Sequence, residues 1–327
     1  MSQTKKLTHG PEVTVDANGH CELPAGMTSV LPGAFWHWDG DFAGCKALKT
    51  IGIPLSVTRL SRVAFAECSA LRAVAIPASV TTIDHSAFSR CSSLRSIAIP
   101  SSVTTIGQSA FIRCESLHAV AIPASVTLIA DYAFADCSSL RSVAIPSSVT
   151  KIGDYAFMRC SALQDVAIPA LVRGIGEGAF AYCSSLCSIA IPSSVTVIEP
   201  DAFNGCSALQ EIAIPATVTA IGENAFDGCS ALVTVNLPAA VTEIGCGAFD
   251  GCTSLLAVTV PTTATLHPRA FDASTAVTRL TPAMMEVRAH RSLRRGHARA
   301  LCTRLPPRSL AIALHSFSCP SAPSPSR

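Results

Sequence analysis

The sequence predicts a β-rich solenoid, with parallel strands stacked at 23 residues per coil and short helical turns between them. Proline recurs from Pro54, Pro77 and Pro100 to Pro261 in unbroken steps of 23. Phenylalanine keeps the same step from Phe65 to Phe249, and cysteine keeps it from Cys45 to Cys252. A fixed period of this size marks a repeat architecture, because one such unit cannot bury an apolar face alone and stacked copies can.

The unit Leu94 to Ser116, LRSIAIPSSVTTIGQSAFIRCES, shows how each element arises. Ile97 and Ile99 alternate with Ser96 and Ala98, the period of a strand. Pro100 ends the strand because it has no N–H to give the ladder. Ser101 and Ser102 are turn residues. Val103 and Ile106 bring the apolar side inward again. Gly107 suits a corner, since it enters the positive-φ region without strain; Asp84, Ala130 and Glu199 stand in its place in other units. Ala110, Phe111 and Cys114 are three and four apart, the spacing of one face of a short helical turn.

The pattern L-x-x-I-x-I-P-x-S-V-T-x-I-G-x-x-A-F-x-x-C resembles the BspA-like class of leucine-rich repeats over about residues 20–282. The resemblance implies a curved leucine-rich-repeat solenoid with one long sheet on its concave side. Members of that class are commonly cell-surface or secreted proteins that act in adhesion and host-protein binding.

The chain divides into a lead-in (1–19), a solenoid of about eleven coils (20–282) and a tail (283–327). Leu23-Pro24 and Phe35 open the first coil, and seven extra residues within 36–43 separate Phe35 from Cys45. At the far end Phe271 follows Phe249 by 22 residues and Ser274 replaces cysteine, as terminal coils are often atypical. The tail holds eight arginines and one acid, Glu286, for a charge of +7; the rest, with 16 basic and 21 acidic residues, carries −5. Residues 283–302 read as a weak helix, and the Pro/Ser-rich stretch from Pro306 reads as disordered.

With 49% hydrophobic and 14% charged residues, the chain has the composition of a packed core. The start has no apolar stretch of a signal peptide, no run reaches membrane-spanning length, and no Asn-x-Ser/Thr site occurs. The expected location is cytoplasmic, with surface display or secretion as the alternative implied by the resemblance. Free buried thiols agree with a reducing compartment. The even cysteine step offers no zinc knuckle, and each ladder cysteine reads as a small core residue. No phosphate loop, carboxylate pair or nucleophile elbow appears, so neither catalysis, cofactor nor metal is expected.

The expected function is a non-catalytic, monomeric protein-binding scaffold that uses the concave sheet face; the alternative is an adhesin. One exposed column on that face runs Lys49, Arg72, Arg95, His118, Arg141 and becomes polar and then apolar at Val233 and Leu256. It points to an acidic protein partner, with no nucleic acid and no membrane span. Beside it runs a column of alanines from Ala75 to Ala213. Trp36 and Trp38 are candidate interaction residues, with closure of the open N-terminal end of the core as the favoured competing role.

Overall fold

The computed structural model describes residues 3–6, 12–30 and 42–287. The three-residue strands from His20–Glu22 to Thr234–Asn236 form one ten-stranded parallel sheet whose order follows the chain. Register never slips: Val120 lies between Ile97 and Val143, and Ala121 lies between Ala98 and Ala144. The middle residue of each strand points into the core and its two neighbours face outward. Further round each coil, two-residue strands form separate parallel ladders of four, three and four members. Both breaks fall where Ala130 and Glu199 replace glycine. A Cβ at the equivalent Gly107 would stand 2.6 Å from the His85 nitrogen of the coil before. Asp84 and His267 are accommodated in the same place without a break.

The Phe–Cys segment is not the helical turn that its spacing suggests. It is a run of turns. The amides of Ser109, Phe111 and Arg113 donate forward to Asp131 O, Ala133 O and Ala135 O of the next coil. The intervening amides of Ala110 and Ile112 donate back to Gly107 O and Ser109 O. The three-and-four spacing is shared by both structures, and the forward bonds to the next coil decide between them. They also satisfy backbone groups that the apolar interior would otherwise strand.

Inside, eleven phenylalanine rings from Phe42 to Phe271 stack at centroid distances of 5.0–5.7 Å. Among the described residues Phe42 heads the stack; Phe35 lies outside them. Ser29–Val30 pairs with Arg59–Leu60, and Phe42 packs on Phe65, so the extra residues lie between Val30 and Phe42. Trp36 and Trp38 fall in that stretch and lie outside the described residues.

The ends are closed differently. The lead-in forms an antiparallel hairpin, β1 (Gln3–Lys6) and β2 (Glu12–Val15), and Val13 and Val15 of β2 are buried in the core. At the other end Ala276–Leu280 pairs with Ala257–Pro261. The Arg279 guanidinium donates to Thr262 O (3.0 Å) and Ala264 O (2.6 Å), and Met285, from a helical turn over 282–287, is buried. The remainder of the tail lies outside the described residues.

Candidate interaction surface

The strand face is assembled by the register. The Arg72 amide donates to Lys49 O (2.9 Å), Arg95 to Arg72 O (3.1 Å), His118 to Arg95 O (3.2 Å) and Arg141 to His118 O (2.9 Å). Five basic or imidazole side chains therefore stand in one row, about 4.8 Å apart as adjacent strands require. Arg72, Arg95, His118 and Arg141 are exposed and Lys49 is half-buried, its stem lying over Gly19. Among the described residues none of the four Lys and Arg side chains makes an ion pair. Elsewhere arginines do find carboxylates, as in Arg59–Asp84 (2.5 Å) and Arg269–Asp250 (2.6 Å).

The floor beside this row is low. Ala73, Ser96, Ala119 and Ser142 are exposed next to it, and Ala75, Ala98, Ala121 and Ala144 are exposed one position beyond the core residue. Small side chains leave backbone and cations accessible to a large partner. At the C-terminal end of the row Val233 and Leu256 are 56% and 69% exposed, which makes that end apolar. The structure thus brings together Lys49, Arg72, Arg95, His118 and Arg141, and leaves Trp36 and Trp38 undescribed.

A second surface was not read from the sequence. Tyr132 and Tyr155 stack at 5.0 Å on another face of the coils, amid Asp131, Asp154 and Glu177. The Tyr155 hydroxyl donates to Glu177, and this bond pushes its pKa up. Tyr182 lies one coil on, beneath the Arg159 guanidinium at 5.6 Å. The 23-residue step from Tyr132 to Tyr155 was the available signal.

The cysteine ladder holds no reactive centre. From Cys68 to Cys252 each thiol donates to a phenylalanine carbonyl, as Cys137 does to Phe111 O and Cys183 to Phe157 O, both at 3.2 Å. Burial pushes the Cys137 and Cys183 thiols up to about 12. A thiol reacts as its thiolate, so these are inert in a reducing or an oxidising compartment alike, and the ladder carries no information about location. Cys246 is free and exposed. A thiol-specific disulfide reagent at neutral pH is expected to consume Cys246 rapidly and the buried ladder from Cys68 to Cys252 only on unfolding. Comparable rates for native and denatured ladder thiols would contradict this sealing.

Among the described residues no group of three His, Cys, Asp or Glu side chains is placed to hold a metal ion, and no helix is long and apolar enough to cross a membrane.

The family pattern described as "BspA type Leucine rich repeat region (6 copies)" matches residues 39–164 and 151–278. A leucine-rich cell surface protein from Faecalibacterium prausnitzii is 30% identical, with 84% of this chain and 86% of that one covered and a TM-score of 0.55. A leucine-rich repeat protein from Eubacterium ventriosum is 19% identical over 86% of this chain and 96% of that one, with a TM-score of 0.48. The pneumococcal vaccine antigen PcpA is 18% identical over 81% and 85%, with a TM-score of 0.44. Comparison with proteins of curated function gives no match. Three residue registers, one unslipped ten-stranded sheet and the matched repeats make the chain a member of the BspA-type leucine-rich-repeat family.

Proposed function

We propose that the chain is a non-catalytic protein-binding scaffold that takes its partner on the exposed face of the ten-stranded sheet. The observation that carries this reading is the row Lys49, Arg72, Arg95, His118, Arg141, held in register above a floor of alanine and serine and, among the described residues, without ion-pair partners. Its partner presents acidic groups to the basic end. Potentials of opposite sign raise encounter rates and fix register more than they add affinity. The proposed setting is the cell surface or the medium, in keeping with the cell surface protein from Faecalibacterium prausnitzii. The cytoplasmic location expected from the sequence gains no support from the comparisons, and the sealed thiols do not require it.

The test is a charge reversal. Arg72→Glu, Arg95→Glu and Arg141→Glu together are expected to weaken partner binding on the order of 100-fold, since each exposed pair contributes up to about 1 kcal/mol and reversal adds repulsion. The loss should shrink as salt rises. Arg173→Glu, on another face, should leave affinity within about twofold. An unchanged affinity in the triple variant would sink the reading.

A further inference from the structure

We propose that the acidic, tyrosine-bearing column is a docking surface for a second copy of this chain, whose basic column seats on it. The column runs through Asp131, Asp154, Glu177 and Glu223, and in the coil between the last two Glu199 and Asp201 flank Pro200, so five successive coils carry acids there. No lysine or arginine occupies the two neighbouring positions in those coils, which hold Ala130, Tyr132, Gly153, Tyr155, Gly176, Gly178, Glu199, Asp201, Gly222 and Asn224. Among the described residues none of the six carboxylates makes an ion pair. Carboxylates a few positions further round the coil do, as Glu67 with Arg90 (2.9 Å) and Asp136 with Arg113 (3.6 Å).

The chemistry of the column selects guanidinium. Arginine pairs with carboxylates and also stacks on aromatic faces, and here carboxylates flank the stacked rings of Tyr132 and Tyr155. The chain itself carries a matching array. Lys49, Arg72, Arg95, His118 and Arg141 also span five successive coils, with no acid between them in the adjoining Thr50, Ala73, Ser96, Ala119 and Ser142. The two arrays share a pitch. The tyrosine rings repeat at 5.0 Å, and the strands repeat at about 4.8 Å. Over four steps the mismatch is roughly 1 Å or less, within the reach of arginine and glutamate side chains.

The contact joins two different patches, so it is heterologous. Each copy added leaves one column and one acidic face open, and assembly continues instead of closing at a dimer. This inference does not depend on an outside partner. It uses the same basic row, so self-docking and partner capture compete.

Sedimentation velocity on the full chain tests it. At low salt the average mass is expected to rise with concentration without a plateau at two copies, and to fall back to one copy as salt screens the pairs. Neutralising either surface, with Arg72→Gln, Arg95→Gln and Arg141→Gln or with Glu177→Gln, Glu199→Gln and Glu223→Gln, should leave each variant monomeric. All three glutamates are exposed, so the second variant keeps its fold, which circular dichroism checks. Mixed one to one, the two variants should form a complex that stops at two copies, because one intact face remains on each. A wild-type chain that stays monomeric at low salt, or a mixture that does not associate or grows past two copies, overturns the proposal. The glutamine variant of the acidic face should still capture an outside partner, so failure here and failure of the partner reading are told apart.

Discussion

Phe134→Ala is expected to destabilise the chain by about 3–5 kcal/mol, the range for removing a fully buried phenylalanine from a packed core. The ring is fully buried and stacks on Phe111 at 5.3 Å and Phe157 at 5.5 Å. Its backbone is tied to the following coil: the amide donates to Ala156 O (2.8 Å) and the carbonyl accepts from the Cys160 thiol (3.2 Å). Loss of the ring leaves a cavity between the Phe111 and Phe157 coils, which meet only through the coil of Phe134, and the close fit of the ladders on either side limits collapse. Repeat arrays owe their cooperativity to such nearest-neighbour interfaces. Urea unfolding followed by circular dichroism should therefore broaden or divide into two transitions as the halves uncouple. Phe271→Ala is the control. That ring is partly exposed and has one stacking neighbour, Phe249 at 5.2 Å, so about 1–2 kcal/mol is expected with one transition retained. Equal losses at the two sites would show that the continuous stack does not couple the coils.

Ala121→Trp combined with Ala144→Trp is expected to weaken partner binding on the order of 1,000-fold while changing stability by about 0.5 kcal/mol or less. Both alanines are exposed and paired side by side on the sheet. Tryptophan is acceptable on a strand and meets open space here, so the fold is spared. A partner that lies against the alanine floor meets two large rings instead, at a cost of about 1–3 kcal/mol each if overpacking in cores is the guide. Titration of partner against both forms, with thermal unfolding alongside, checks the two halves of the statement. Retained affinity would move the binding surface away from the sheet.

Much of this was legible because the 23-residue step fixes register. Once Ile97, Val120 and Val143 are placed in one core column, Arg95, His118 and Arg141 must share an exposed one. Turn conformation was not legible. Ala110, Phe111 and Cys114 have the same spacing in a helical turn and in consecutive turns, and only bonds to the next coil, such as Phe111 to Ala133 O, distinguish them. The first coil set two repeat rules against each other. Pro24 and Phe35 keep the Pro-to-Phe spacing, whereas Phe42 and Cys45 keep the Phe-to-Cys spacing. The second rule prevails because ring stacking on Phe65 requires it. The acidic column was missed because outward positions were read only beside the strands, although Asp131, Asp154 and Glu177 repeat as faithfully as the arginines.

The most direct measurement is arginine modification by phenylglyoxal, followed by mass spectrometry, on the chain alone and bound to its partner. The account predicts that partner binding protects Arg72, Arg95 and Arg141, while the exposed Arg113 and Arg159 on another face are modified as before. Unchanged modification of the three sheet arginines, or protection confined to Arg113 and Arg159, would contradict it.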